Sequence, residues 1–286
     1  MDGIININKP KGITSFDVIR KLRKILSIKK IGHTGTLDPL ATGVLLVCVG
    51  KATKLAQDIE AHSKEYVAEF ELGYKTDTYD TEGTIIDKVE NFSISKTELE
   101  NVLKKFVGNI KQIPPMYSAI KINGQKLYDL ARKGETVERE ARDIKIDYIE
   151  LLSFDGKKAR IKCKVSKGTY IRSLIYDIGE ELKTFAVMTS LTRTSVGNEK
   201  IENSFSIEDI EKSMEDKNLN FITSVEEYFN YPKITIIGEK NHTLFLNGNT
   251  LIFNKENGFY RVYLENGSFL GLGQVIFNRL KGYKYY

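Results

Sequence analysis

The chain has 286 residues, of which 41% are hydrophobic and 28% are charged, and its formal net charge is +5. This composition is typical of a soluble globular protein with room for one large and one small domain. The longest apolar run is far shorter than the roughly 20 residues that a membrane helix needs, and the first residues lack the features of a signal peptide. We therefore expect a cytoplasmic protein with no membrane association.

The charge is unevenly distributed along the chain. Residues 1–60 carry 10 basic and 5 acidic side chains, residues 232–286 carry 7 and 3, and the segment between them is slightly acidic. Basic ends around an acidic middle are consistent with a polyanionic partner held at two places, although an excess this small also fits an ordinary solvated surface.

Cysteine and histidine usage indicates no disulfide and no metal site. Cys48 and Cys163 each lie in an apolar or alternating segment with no second cysteine nearby, which predicts buried, reduced thiols. The three histidines are widely spread and show no metal-ligand spacing.

The first predicted element that matters is a helix that begins at Ser15. A second helix is predicted where Ser95 and Glu98 form a capping box, and Gly108 closes it. Both have an apolar stripe that would pack on a sheet. The stripe positions are Ile19, Leu22, Ile25 and Leu26 in the first helix and Leu99, Val102, Leu103 and Phe106 in the second.

The segment 32–43 predicts a shaped loop, because it holds three glycines and one proline. Pro39 restricts the backbone of Asp38 to extended conformations and so directs its side chain. The apolar run 44–49 predicts a strand that is buried on both faces and supports this loop. An aspartate before a proline often only caps a turn, but the polar side chains of His33 and its threonine neighbours in the same loop exceed what a turn needs.

Further strands are predicted by alternating apolar residues over 66–72 and 159–165. Helices and strands alternate without a βαβ rhythm or an internal repeat. We therefore predict an α+β fold with a central, mainly antiparallel sheet and flanking helices.

Residues 111–140 combine prolines and glycines, which can form hinges, with aromatic rings and cationic side chains. Such a mixture suits a loop that closes on RNA, because phosphates need cations and splayed bases need flat partners. A plain surface hairpin is the alternative. The side chains with candidate RNA contacts are Tyr117, Lys121, Tyr128 and Arg132.

After Pro232 the pattern changes to short strands, and a small β-rich domain is predicted over 232–286, behind a larger domain over 1–231. Three Asn-Gly pairs, at 247–248, 257–258 and 266–267, are each predicted to form a hairpin turn.

Six motifs in order over residues 4–197 resemble the TruB family of pseudouridine synthases, which modify the T-loop uridine of tRNA. The loop around Asp38 resembles the catalytic motif. The other matching segments are Asn8–Ser15, Lys64–Tyr66, Gly73–Gly83, Gln112–Lys121 with Lys126–Gly134, and Ser166–Leu174. The resemblance implies a pseudouridine synthase fold, a thumb insertion at about 111–140 and a C-terminal PUA-like, RNA-binding domain.

The resemblance assigns three catalytic residues. Asp38 would be the essential carboxylate, and Arg172 would be its guanidinium partner, which favours the ionised carboxylate. Tyr66 would stack on the uracil and handle its proton, with stacking worth roughly 1–3 kcal/mol per base. The alternatives are a surface cation for Arg172 and a half-buried packing aromatic for Tyr66.

The remaining site residues also follow from the resemblance. His33 would fill the space that an everted uridine vacates, whereas a lone histidine is often incidental. Tyr170 and Leu191 would form the walls of the uracil pocket, or serve the core. Lys9 and Lys54 would support the active-site loop or the RNA backbone. After Gly197, Asn198-Glu199 departs from the aromatic residue usual in relatives.

The predicted activity is isomerisation of uridine 55 of tRNA to pseudouridine, without a metal or another cofactor, by a monomer that needs no protein partner. The competing hypotheses are an RNA-binding or RNA-folding protein with an idle synthase fold, and a synthase that acts on guide-RNA complexes or another RNA. Glycoside hydrolysis is disfavoured, because it usually needs two cooperating carboxylates and only one is placed here.

Overall fold

The computed structural model describes residues 1–122 and 124–285, which form a ten-stranded sheet with packed helices and a five-stranded sheet near the C-terminus. The strands are β1 (Gly3–Lys9), β2 (Ile31–Thr34), β3 (Thr42–Val49), β4 (Lys64–Leu72), β5 (Tyr74–Thr76), β6 (Ile85–Lys88), β7 (Gly108–Gln112), β8 (Lys121–Ile122), β9 (Gln125–Lys126), β10 (Arg142–Phe154), β11 (Lys158–Val165), β12 (Ala186–Val196), β13 (Glu199–Lys200), β14 (Ile222–Thr223), β15 (Lys233–Ile236), β16 (Leu251–Ile252), β17 (Gly258–Leu264), β18 (Phe269–Ile276) and β19 (Arg279–Tyr285). The helices are α1 (Ser15–Leu26), α2 (Ala56–Glu60), α3 (Lys96–Lys105), α4 (Leu127–Ala131), α5 (Ile171–Glu181), α6 (Ile207–Glu215), α7 (Val225–Tyr228) and α8 (Glu239–Leu246).

The large sheet has the strand order β14-β1-β3-β12-β4-β11-β10-β7, with β2 paired to β3 and β13 paired to β12. Its strand pairs in the described part of the chain are antiparallel except for β3 beside β12, which is parallel. The predicted α+β fold with a mainly antiparallel sheet is confirmed. As predicted, β3 is buried over nearly its whole length.

The helices begin where the sequence predicted. Ser15 is the first helical residue of α1, and Thr14 caps it through a capping box with Asp17. Ser95 and Glu98 form the expected capping box at the start of α3. The buried stripes of both helices belong to one hydrophobic core with the inner faces of β4, β11 and β12. No helix within the described residues is long and apolar enough to cross a membrane.

Both cysteines are buried and free, as predicted. Burial raises the pKa of the Cys48 thiol and of the Cys163 thiol to about 12. Each cysteine therefore stays protonated and serves as a small apolar core residue.

The C-terminal sheet corrects two of the three hairpin predictions. Its strand order is β15-β17-β18-β19-β16. The Asn-Gly pair at 266–267 does join β17 to β18. The pair at 247–248 instead ends α8. The pair at 257–258 only leads into β17, whose first residue is Gly258, since the strand before it pairs with β19. The β18–β19 turn is made by Phe277 and Asn278, both with positive φ and without a glycine.

The C-terminal sheet is packed against the large domain. Leu272 of β18 shares a buried cluster with Val225 and Phe229, near the end of the large domain. The Arg261 guanidinium donates hydrogen bonds to the backbone carbonyls of Glu226 and Tyr231. These contacts hold the small sheet close to the segment that leads into it.

The approach of β3 to β12 makes a testable prediction at Gly43. Its φ is +96°, and an added Cβ would lie 2.3 Å from the Arg193 carbonyl oxygen. Gly43→Ala should lower the free energy of unfolding by about 3 kcal/mol, because it adds overpacking to left-handed strain. Chemical denaturation measures this loss.

Gly12→Ala is the matched control. Gly12 has a similar φ of +88°, but nothing lies within 4 Å of an added Cβ. Only the left-handed strain remains, so the loss should be about 1 kcal/mol. If both variants lost the same free energy of unfolding, the close packing at Gly43 would make no contribution to the loss in Gly43→Ala.

Candidate active site

Asp38 lies in the loop between β2 and β3, at the edge of the hydrophobic core. Its neighbours Leu37 and Leu40 are buried, whereas the Asp38 side chain is 38% exposed. The apolar neighbours anchor the loop and leave the carboxylate accessible. One prediction is corrected here, because His33 lies in strand β2, opposite Val47 of β3, and not in the loop.

Hydrogen bonds from α1 and from the turn that precedes it hold the Asp38 loop in place. The Ser15 hydroxyl donates to the Leu37 carbonyl at 3.0 Å and accepts from the Leu37 amide at 2.8 Å. The Gly12 amide donates to the Pro39 carbonyl at 2.8 Å. Asp38 is therefore flanked on both sides by backbone that is bonded to the rest of the fold.

Arg193 of β12 joins the two ends of the same loop. Its Nε donates to the Val44 carbonyl at 2.7 Å, and its Nη2 donates to the Gly35 carbonyl at 3.1 Å. The side chain is almost completely buried. Because removing either bond would leave a buried guanidinium donor unsatisfied, the loop ends are held at a fixed separation.

Arg172 pairs with Asp38, as the sequence predicted. Its Nη2 lies 2.8 Å from Asp38 Oδ2. Arg172 is the second residue of α5 and its side chain is buried, so the alternative of a surface cation is wrong. The tight turn before α5 includes Gly168, which has a φ of +81° and sharply redirects the chain leaving β11.

Arg172 also binds two segments that the sequence analysis did not connect with it. Nη1 donates to the Thr78 carbonyl at 3.1 Å and lies 3.6 Å from Asp80 Oδ2. Nη2 donates to the Tyr117 carbonyl at 2.9 Å. The guanidinium thus links the Asp38 loop, the turn before Asp80 and the start of the 111–140 segment.

Asp80 is the main site residue that sequence reasoning missed. Its side chain is buried, and its Oδ1 accepts hydrogen bonds from the Thr78 hydroxyl at 2.6 Å and the Glu82 amide at 3.0 Å. A signal was available, because Asp80 lies inside the matching segment Gly73–Gly83. Nothing in that segment alone shows that its carboxylate turns inward.

Tyr66 and Leu191 lie on adjacent strands with their side chains in the core. Tyr66 of β4 pairs across the sheet with Cys163 and Arg193. It is 8% exposed and shares its cluster with Leu37, Leu40 and Leu191. Tyr66 and Leu191 therefore belong to the same hydrophobic core as Leu37 and Leu40, which lie on either side of Asp38 in the chain.

Tyr170 directly precedes α5 and is held by Gln112, which the sequence analysis did not single out. The Gln112 side chain donates to the Tyr170 carbonyl at 3.0 Å and accepts from the Tyr170 amide at 2.8 Å. Burial raises the pKa of the partly buried Tyr170 phenol, so it remains protonated at neutral pH.

The two predicted supporting lysines have different environments. Lys9 is completely buried and donates to the carbonyls of Pro10 at 2.9 Å and Ile13 at 2.7 Å. It holds the turn at residues 10–13, whose Gly12 amide bonds to Pro39 of the Asp38 loop, and the alternative of a contact with the RNA backbone is wrong because its ammonium is inside the protein. Lys54 is exposed on a 3-10 turn after β3.

Buried basic side chains near the Asp38 loop have lowered pKa values. Burial lowers the pKa of Lys9 to about 8, and the Asp38 carboxylate opposes part of that shift. Lys64 also has its pKa lowered to about 8, by burial and then by Arg193. The same two causes lower the pKa of His33, which is therefore neutral at pH 7.

The 111–140 segment forms a small unit with its own apolar cluster. Met116, Leu127 and Leu130 are buried together beneath the β8–β9 hairpin and α4. The Tyr128 ring lies near two cations, the Lys126 ammonium at 5.1 Å and the Arg132 guanidinium at 5.5 Å from its centroid. Lys121 and Arg132 are exposed.

Tyr117 connects this unit to the Asp80 turn. Its hydroxyl donates to Asp77 Oδ2 at 3.4 Å, and its carbonyl accepts from Arg172. The four predicted contact residues of the segment therefore divide into two groups. Tyr117 is tied to the ion-pair site, and Lys121, Tyr128 and Arg132 belong to the outer part.

The arrangement presents one accessible carboxylate beside a buried guanidinium. Arg172 holds Asp38 in one orientation and supplies a compensating charge. A carboxylate fixed in this way can act on an electrophilic carbon or accept a proton from a substrate placed against it.

Comparison with known proteins agrees with this fold. The protein-family model for "TruB family pseudouridylate synthase (N terminal domain)" matches residues 23–171. The model for "Pseudouridine synthase II TruB, C-terminal" matches residues 232–283. A tRNA pseudouridine synthase B of Fusobacterium nucleatum subsp. nucleatum is 60% identical, with both chains fully covered. Its counterpart in Clostridium tetani is 48% identical, with 96% of each chain covered.

Solved structures extend the similarity to three dimensions. A Cbf5-Nop10-Gar1 complex contains a chain with a TM-score of 0.71 and 27% identity, covering 99% of this chain and 83% of that one. A structure of an H/ACA RNP bound to a substrate RNA containing 2'-deoxyuridine gives a TM-score of 0.70 at 27% identity, covering 96% and 78%.

Fold, site and family matches together define a pseudouridine synthase. The chain belongs to the TruB family of these enzymes.

The buried pairing of Arg172 makes a prediction about stability. Arg172→Met should lower the free energy of unfolding by about 3–4 kcal/mol, because the buried Asp80 carboxylate loses its counter-charge. Adding Asp80→Asn should recover at least about 1 kcal/mol, since it removes the uncompensated charge. Chemical denaturation of the single and double variants measures both effects.

Arg20→Met serves as the control, because Arg20 pairs with Asp17 on the exposed face of α1. Its effect should stay within about 0.5 kcal/mol. If Asp80→Asn made the Arg172→Met protein still less stable, the two side chains would not be coupled as the structure indicates.

Proposed function

We propose that this enzyme converts the T-loop uridine of tRNA, at position 55, to pseudouridine. The observation that carries the proposal is the accessible Asp38 carboxylate, 2.8 Å from a buried guanidinium. The substrate is supported by two relatives that are 60% and 48% identical, each a tRNA pseudouridine synthase B.

The reaction is an isomerisation with no net redox change. The bond between uracil N1 and ribose C1′ breaks, the base turns, and a bond forms between C5 and C1′. N1 gains a proton and C5 loses one. The protein must therefore supply a carboxylate at the sugar, a closed pocket for the free base and a group that assists proton transfer at C5.

Asp38 meets the first requirement in our proposal. Attack on the sugar carbon, attack on the uracil ring and removal of a sugar proton all use the same carboxylate. Arg172 holds it in one orientation beside a fixed positive charge in each case.

Tyr66, Tyr170 and Leu191 supply the pocket and the proton-handling group. Tyr66 belongs to the same hydrophobic core as Leu37 and Leu40 on either side of Asp38, and we propose that a uracil stacked on its ring lies beside the carboxylate. Its hydroxyl is the candidate acid or base at C5. Tyr170 and Leu191 would limit escape of the cleaved base.

The target nucleotide has to leave the folded loop to reach Asp38, at a cost of a few kcal/mol. His33 is proposed to fill the vacated space. It is partly buried and neutral, and its Nδ1 has no hydrogen-bond partner among the described residues. A neutral imidazole can stack between bases without burying a charge.

Recognition beyond the site is assigned to the 111–140 segment and to a C-terminal RNA-binding domain over 232–286. Tyr128, Lys121 and Arg132 offer a ring and two cations to the T-arm. Arg279 and Lys281 are exposed on β19 and can meet phosphates elsewhere in the tRNA.

Asp38→Asn should abolish activity but not binding. The amide cannot act as nucleophile or base, so turnover should fall by at least about 10³-fold, whereas tRNA affinity should change only a few-fold. Tritium release from 5-labelled uridine in a T-arm transcript measures turnover, and filter binding measures affinity.

A transcript without the target uridine is the substrate control, and Asp155→Asn, in an exposed turn, is the protein control. A large loss of affinity in Asp38→Asn would assign Asp38 to structure. Unchanged tritium release would remove it from the mechanism.

Tyr66→Phe should slow turnover by about 10²-fold, which is a typical contribution of a general acid or base. Binding should be nearly unchanged, because the ring can still stack. Single-turnover tritium release checks the effect, with Tyr74→Phe as the control. Wild-type rates would exclude the hydroxyl from proton transfer.

Arg279→Glu with Lys281→Glu should raise the KM for full-length tRNA by about 10-fold through lost phosphate contacts. The KM for an isolated T-arm hairpin should not change. This test is sharper than truncation at residue 232, which would expose Val225 and Phe229 beneath Leu272.

Lys96→Glu with Lys104→Glu on α3 makes the same change in net charge and is the matched control. Equal effects of both pairs on full-length tRNA would indicate a general charge effect. An equal rise in KM for the hairpin would place Arg279 and Lys281 at the T-arm.

A further inference from the structure

The turn at residues 77–80 contains a residue with an unusual backbone conformation. Tyr79 has a φ of +65°, in the left-handed region. A bulky aromatic residue is rarely found there, because its Cβ crowds the backbone, and glycine or asparagine is usual. Strain of this kind persists only where the surroundings enforce it, and it is concentrated at functional sites.

The residues on either side of Tyr79 both bind Arg172. Thr78 provides a carbonyl oxygen at 3.1 Å from Nη1, and Asp80 provides a carboxylate oxygen at 3.6 Å from the same atom. The left-handed residue between them lets a carbonyl and a carboxylate converge on one nitrogen.

Three interactions hold the conformation of Tyr79. Its amide donates a hydrogen bond to the Thr76 carbonyl at 3.3 Å. Its carbonyl accepts a hydrogen bond from the Met188 amide of β12 at 3.1 Å. Its ring stacks on the ring of Tyr176, with centroids 4.1 Å apart and planes inclined by 25°. Offset stacking at this separation is attractive.

Tyr176 lies on α5, four residues after Arg172, and therefore on the same face of that helix. One helix thus contacts the turn at two points, through the Arg172 guanidinium and through the Tyr176 ring. Two contacts on one rigid element fix the distance and orientation of the turn relative to Arg172.

We propose that Tyr79 and Tyr176 are positioning residues: their stack holds the turn in its left-handed form, which directs Arg172 onto Asp38. This inference rests on the proposed function for its catalytic consequence. Without the stack, the turn relaxes, Arg172 loses two of its acceptors, and Asp38 is held less firmly.

The kinetic test uses the full chain and single-turnover tritium release at saturating tRNA. Tyr79→Gly removes the ring but tolerates the positive φ, so the melting temperature should change by only a few degrees. Its rate should fall by about 10-fold, because small displacements of a catalytic group are costly. Tyr176→Leu should show the same loss, and the Kd for tRNA should stay within about two-fold.

Conservative and remote variants separate positioning from general stability. Tyr79→Phe and Tyr176→Phe keep both rings and should retain nearly the wild-type rate. Tyr231→Leu removes a different ring contact, with Phe259 at 5.6 Å, and should not change the rate. A wild-type rate in Tyr79→Gly, a Tyr79→Phe variant as slow as Tyr79→Gly, or weaker tRNA binding at an unchanged rate would overturn the proposal.

A second measurement is independent of activity. The Arg172 Nε–H signal in the ¹⁵N NMR spectrum of the RNA-free protein, assigned by its loss in Arg172→Lys, should be sharp in the wild type and in Tyr79→Phe. It should broaden or shift in Tyr79→Gly, and an unchanged signal there would refute the positioning role. If the wild type released no tritium, the proposed function would fail, while this spectrum would still decide the role of Tyr79.

Discussion

The buried guanidinium of Arg172 is the interaction on which the site depends. A buried cation is stable only with anions and hydrogen-bond acceptors around it. Arg172 finds them in three segments that are far apart in sequence: the Asp38 loop, the turn at Thr78 and Asp80, and the 111–140 segment at Tyr117. Satisfying one side chain therefore brings the Asp38 loop and the 111–140 segment together.

The sheet provides the rigid frame for this assembly. Strand β12 lies between β3 and β4, so it can reach the Asp38 loop from one side and Tyr66 from the other. Arg193 of β12 holds both loop ends, and Gly43 allows the strands to approach closely enough for those bonds to form. The position of Asp38 is thus set by backbone contacts, and its own side chain remains available for substrate.

The two sheets differ in what their faces bury. The large sheet packs against the main core, whereas the small sheet uses one face for its own core and the opposite face, through Leu272, against the large domain. Its exposed cations remain free of that packing.

Local sequence signals determined the elements and the shaped loop. The helix start at Ser15, the capping box at Ser95, the apolar run of β3 and the Gly-rich, Pro-containing loop around Asp38 depend on neighbouring residues alone, and each was predicted where it occurs. The pairing of Arg172 with Asp38 was predicted only through family resemblance, because no spacing rule joins residues 38 and 172.

The tertiary structure alone decided which polar side chains turn inward and which turns become hairpins. Asp80, Gln112 and Arg193 have residue types that are usually exposed, and their burial depends on partners distant in the chain. The same Asn-Gly pair ends a helix at 247–248 and forms a hairpin at 266–267, because a turn becomes a hairpin only if its flanking strands pair with each other. Local chemistry sets conformational preference, whereas long-range packing selects the partner.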